Sequence, residues 1–88
     1  MTVEEKQQYQ QAIESVIAEY GFVFSRIGCP CSGSQRIYTV SNGKARFTIE
    51  LWVARGYWHI YESKMKVSYG TKPEYLQQEL KRLWDLFS

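Results

Sequence analysis

The sequence predicts an α+β fold in two layers: a helix, an antiparallel meander of four to five strands, and a second helix, with both helices on one face of the sheet. Three observations predict it. Ala45, Phe47, Ile49, Leu51 and Val53 alternate with Lys44, Arg46, Thr48, Glu50 and Trp52, a period of two that suits a strand and that a helix would scatter around its circumference. Asn42-Gly43 and Arg55-Gly56 stand at the two ends of that stretch, where short turns would reverse the chain. At both termini the apolar residues instead recur every three or four positions, which is helical spacing.

Taken in order, Thr2 followed by Glu5 is a capping box at the start of the first helix. Val3, Tyr9, Ala12, Ile13, Val16, Ile17 and Tyr20 then mark one stripe over about five turns, until Gly21 supplies a stop. The opposite face, rich in Glu and Gln, reads as solvated. Residues 22–27, Phe-Val-Phe-Ser-Arg-Ile, are β-formers between two glycines and predict a first strand.

The turns set the expected register of the meander. A two-residue loop at Asn42-Gly43 pairs Val40 with Ala45 and Tyr38 with Phe47. A second at Arg55-Gly56 pairs Ala54 with Tyr57, Val53 with Trp58 and Trp52 with His59. Arginine is poorly suited to positive φ, so this second turn is the weaker of the two. A third reversal near Ser63-Lys64, with neither Gly nor Asn to support it, sets Ile60 against Val67 and Trp58 against Tyr69. One face then carries Tyr38, Val40, Phe47, Ile49, Leu51, Val53, Trp58, Ile60 and Val67 as core. The other carries Ile37, Thr39, Arg46, Thr48, Glu50, Trp52, Tyr57, His59 and Tyr61.

Thr71 and Glu74 form a second capping box around Pro73, and Leu76, Leu80, Leu83, Trp84 and Phe87 mark the stripe of a final helix. With 88 residues, no linker and no repeat, residues 1–88 read as a single α+β domain that buries about 60–65% of its unfolded surface.

Net charge is +2, but it is unevenly spread. Residues 1–20 carry −3, residues 21–73 carry +6, and residues 74–88 carry −1. A basic sheet between acidic helices favours an anionic partner, or serves solubility alone. No apolar run approaches the roughly 20 residues of a membrane span, and no secretory pattern opens the chain. The expected setting is cytoplasmic.

Cys29-Pro30-Cys31 is the one hint of metal or redox chemistry. A tetrahedral zinc site needs four ligands, whereas Cys29, Cys31 and His59 are too few in one chain, so only two chains pooling their cysteines close such a site. A disulfide between residues two apart is strained and easily reduced. Two reduced thiols in a stiff loop are the ordinary alternative, and no cofactor is expected.

The order of elements resembles double-stranded-RNA-binding domains. A more local likeness is to the HicA-type mRNA interferases, with Gly21-Phe22 after the first helix, then Arg26, then Gly33-Ser34-Gln35 opening the second strand. It covers about fifteen residues. That resemblance implies possible RNA contact, but Gln35 stands where the family has its catalytic histidine, Cys-Pro-Cys is inserted just before it, and no catalysis is carried over.

His59 is the one imidazole in the chain, and no second histidine or activated nucleophile is placed beside it by local spacing. The expectation is therefore a non-enzymatic domain, with an RNase toxin of the HicA type, which the resemblance implies, as a distant alternative. Its candidate binding residues are Ile37, Arg46, Glu50, Trp52, Tyr57, His59 and Tyr61; of these Ile37, Trp52, Tyr57, His59 and Tyr61 gather as an apolar patch of a few hundred Å² on the side away from the helices, with Arg46 and Lys44 nearby. Three readings stay open: the patch docks a protein or a second copy of the chain, it stacks unpaired bases of a nucleic acid, or a segment such as residues 28–34 folds across it.

Overall fold

The computed structural model describes residues 2–27, 35–41 and 43–87. Its element order is α1 (Val3–Ala18), β1 (Val23–Ile27), β2 (Gln35–Ser41), β3 (Arg46–Trp52), β4 (Tyr57–Glu62), β5 (Met65–Gly70) and α2 (Pro73–Phe87). The five strands form one antiparallel sheet in chain order, and the two helices contact each other. Cysteines 29 and 31, with the metal, redox and loop-cover readings attached to residues 28–34, lie outside the described residues.

Local chemistry explains where each helix begins. Thr2 caps α1 as expected: its hydroxyl accepts the Glu5 N–H at 3.2 Å and the Glu5 carboxylate accepts the Thr2 N–H at 3.4 Å. Gly21, at φ +79°, makes the left-handed turn that releases the chain towards β1. The start of α2 differs from expectation. Leu76 N–H donates to Lys72 O at 3.1 Å, so Lys72 is the capping residue and Pro73 takes the first helical position, where its missing N–H costs nothing. Thr71 is thereby left outside the helix, and its carbonyl accepts the Tyr9 hydroxyl of α1 at 2.9 Å.

The core lies on the face of the sheet that both helices cover. Ile13 and Ile17 of α1 and Leu76, Leu80 and Leu83 of α2 pack with Phe47, Ile49, Leu51, Trp58 and Ile60 in one cluster, all of them at most 2% exposed. Val40 and Val67 flank it half-buried. Trp84 of α2 joins the layers at one end, with its ring 5.5 Å from that of Phe47 on β3, 5.4 Å from Tyr20 after α1 and 6.3 Å from Phe22 before β1. Large rings bury about 150–250 Å² each, which makes this junction a main source of stability. Val3, expected on the stripe, is 69% exposed because it lies in the first turn, ahead of the packed part of the helix.

Both faces of the sheet hold the residues the alternation predicts, but the register is different. Val40 pairs with Phe47 and Tyr38 with Ile49; Trp52 pairs with Tyr57 and Leu51 with Trp58. Each hairpin is thus displaced by two residues, and each has a four-residue connection rather than a two-residue one. At the second turn the cause is visible: Trp52 O accepts from both Arg55 N–H (3.2 Å) and Gly56 N–H (2.8 Å), and Gly56 alone takes positive φ, at +74°. The longer loop spares Arg55 the left-handed conformation that a two-residue turn demands. Val53, 6% exposed, is buried with the core from this connection, as is Ala45 from the first, at 7%.

The third turn is Ser63-Lys64, with Glu62 opposite Met65 and Tyr61 opposite Lys66. Ser63 adopts φ +57°, and its N–H reaches Arg46 O of β3 at 2.8 Å. A bulge between Ile60 and Tyr61 then shifts the pairing, so that Ile60 faces Ser68 and Trp58 faces Gly70. The expected Trp58–Tyr69 pair is therefore replaced by His59–Tyr69, which brings Tyr69 onto the outer face at 73% exposure. Among the described residues, no helix is long and apolar enough to cross a membrane.

Candidate functional site

On the face away from the helices the pairings build cross-strand rows. One runs Arg26, Ile37, Glu50, His59, Tyr69; the next runs Val23, Thr39, Thr48, Tyr61, Lys66; and a short third row is Gln35, Trp52, Tyr57. The two-residue shift preserves the face of every side chain because the period is two, yet it changes neighbours. Tyr57, not His59, stands opposite Trp52.

The rings form a ladder. Trp52 and Tyr57 lie 5.8 Å apart with planes 30° from parallel; Tyr57 and His59 follow at 5.2 Å and 29°; Tyr61 meets His59 edge-on at 6.3 Å. All four are half-buried. Ile37, expected in the exposed patch, is 6% exposed instead, and Gln35, the residue at the catalytic position of the interferase pattern, is 8% exposed. Ile37 sits between Arg26 and Glu50 in its row; an isoleucine projects less far from a sheet than either. Arg46 is exposed at the start of β3, two residues before Thr48, which pairs with Tyr61 at the end of the ladder.

Glu50 is the polar centre of this face. Its Oε1 accepts the Tyr61 hydroxyl at 3.3 Å and lies 3.7 Å from His59 Nδ1, with both side chains about a quarter exposed. The longer distance is outside hydrogen-bond range. His59 Nδ1 and Trp52 Nε1 are accordingly buried without a hydrogen-bond partner among the described residues. Burial, and next the neighbouring Glu50 charge and hydrogen bond, push the Tyr61 hydroxyl above the ordinary tyrosine value. Glu50 thus lies against both Tyr61 and His59 and ties the two side chains to one carboxylate. No cluster of three metal-binding side chains occurs among the described residues.

A groove of about 460 Å³ opens where β4, β5 and α2 meet, beside His59. Tyr57, Tyr69 and Tyr75 supply its rings, Glu79 its carboxylate, and Trp58 with Gly70 its inner surface. Sequence reading missed it for two reasons. Tyr75 is off the buried stripe of α2, and Tyr69 is delivered to this face by a bulge that has no signature in the sequence.

Compared with known proteins, the chain matches no family model, no curated protein and no solved structure.

Proposed function

We propose that the chain is a small non-enzymatic protein-binding domain that docks its partner on the outer sheet face. The observation that carries this reading is the continuous ladder Trp52–Tyr57–His59–Tyr61. Its rings spend much of their π-surface on one another and turn edges outward, a shape suited to a flat apolar protein surface rather than to intercalated bases. Both open edges of the sheet carry a bulge, between Phe24 and Arg26 on β1 and at Ile60/Tyr61 opposite β5; bulged edges are poor templates for adding another strand. Docking therefore falls to the face.

The rim of the ladder specifies the partner. Arg26, Arg46 and Lys66 are exposed around one carboxylate, Glu50. A second copy would bring like charges together, which costs affinity, while a partner with an acidic rim and an apolar centre is complementary. The expected mass in solution is that of one chain, 10.4 kDa. A mass of twice that value, reverting to one chain on Trp52→Glu, would assign the face to homodimerisation. For the heterologous reading, the test is capture of a partner from native cell extract by the wild type and its loss with folded Trp52→Glu, together with weaker capture by Arg46→Glu.

A second reading rests on the same three cations: a nucleic acid could lie along Arg26, Arg46 and Lys66. It requires affinity that falls steeply with salt and is abolished by Trp52→Ala with Arg46→Ala. Salt-insensitive or absent binding of single-stranded RNA and DNA removes it.

A further inference from the structure

We infer that the groove between β5 and the start of α2 is a binding site for an alkylammonium cation. Its volume of about 460 Å³ falls within the ~300–1,000 Å³ of small-ligand clefts. What lines it is more telling than its size. Three tyrosines from three different elements, Tyr57 on β4, Tyr69 on β5 and Tyr75 on α2, converge on one space with the Glu79 carboxylate at its wall. Tyr57 has its faces stacked on Trp52 and His59, so the π-surface left to the groove is that of Tyr69 and Tyr75; with a carboxylate beside them, such rings attract a cation whose apolar methyl groups also leave water.

Other observations bear on the same chemistry. The Lys66 ammonium lies 5.6 Å from the centre of the Tyr69 ring but does not line the groove, so that ring already engages a cation from outside it. Glu79 Oε2 accepts the Arg82 Nε–H at 2.6 Å. Its charge is therefore partly matched, and the rings contribute most of the attraction. That balance favours a weakly hydrated alkylated ammonium over a bare one, which is more costly to strip of water. Gly70 lets the inner wall of the groove close directly onto the buried indole: a β-carbon there would stand 2.6 Å from Trp58 Cζ2. Trp58 itself is pinned by its N–H to Lys72 O at 3.1 Å, so the floor is rigid before a ligand arrives.

The groove shares Tyr57 and His59 with the docking face and differs from it in Tyr75 and Glu79. Trp52, on which the face stands or falls, does not line the groove.

Choline is the probe, followed by the NMR resonances of the Trp58 indole N–H and the Gly70 amide. Its neutral isostere, 3,3-dimethylbutan-1-ol, is the control. The expected result is a saturable shift with choline and little or none with the alcohol. Tyr75→Leu, at an exposed ring that can be changed without opening the core, should weaken choline about tenfold, and Glu79→Gln should weaken it by a smaller factor. Tighter binding of a peptide carrying trimethyl-lysine would place the cation on a polypeptide, and equal or weaker binding would place it on a free small molecule. Equal shifts with choline and the alcohol, or no shift with choline at tens of millimolar, would overturn the inference.

Discussion

Trp58 and Gly70 face each other across the β4–β5 pair so closely that a β-carbon on the glycine would meet three indole carbons, at 2.6, 3.0 and 3.2 Å. Positive φ is not what this position requires, since Gly21, Gly43 and Gly56 are the described glycines that use it. Space is. Trp58 is fully buried and cannot yield without opening the core. Gly70→Ala should destabilise the fold by about 1–3 kcal/mol, measured by urea unfolding. In a Trp58→Phe background the smaller ring should relieve part of that loss, so an undiminished penalty there would refute steric contact as its cause.

Phe47 is the residue through which the sheet meets both aromatic side chains at the end of α2, Trp84 at 5.5 Å and Phe87 at 5.7 Å. Phe47→Ala should cost about 3–5 kcal/mol. Thr48→Ala, one residue along and on the opposite face, should change stability by no more than about 0.5 kcal/mol. Comparable losses at the two positions would contradict the assignment of inside and outside.

Alkaline pH should unfold the protein through two tyrosines. Burial raises Tyr9 from 10.0 to about 12, and burial with the Glu14 carboxylate, which accepts the Tyr38 hydroxyl at 2.7 Å, raises Tyr38 as well. A group whose folded value lies above its unfolded one contributes stability in full below the unfolded value, and loses it as pH rises through the folded one. Stability should hold below pH 10 and fall as pH climbs towards 12 and beyond. Tyr9→Phe and Tyr38→Phe should each flatten that fall in chemical-denaturation curves collected across the range. Tyr38→Phe should also cost about 1–3 kcal/mol near neutrality, because a hydrogen bond to a charged group is lost.

Two tryptophans with opposite orientation offer a direct comparison. Trp52→Ala removes a half-buried ring that stacks on Tyr57 at 5.8 Å and should cost about 1 kcal/mol. Trp58→Ala empties the core and should cost about 3–5 kcal/mol. Thermal melts should separate the pair, while partner binding should depend on Trp52.

Helix α1, its Thr2–Glu5 cap and the burial of Ile13 and Ile17 were all legible, because each follows from contacts within a few residues along the chain. So was the inward set of β3. The Ser63-Lys64 reversal was legible too, but the Ile60/Tyr61 bulge beyond it was not, and with it went the correct place of Tyr69. A bulge is chosen by how a whole strand seats on its neighbour: here the small Gly70 goes to the indole and the large Tyr69 to the outer face.

The amino-acid order by itself determined parity: which side chains of each strand turn towards the helices and which turn away. Parity survives a slip of two residues, so it could be read without knowing the register. Tertiary structure decided the register, and therefore which rings touch. It alone set Tyr57 beside Trp52, sank Ile37 between longer neighbours and gathered Tyr57, Tyr69 and Tyr75 around one groove. The reason is that a hydrogen-bonded ladder displaced by two residues satisfies the backbone equally well, and only the fit of large side chains across strands and against the helices distinguishes the alternatives.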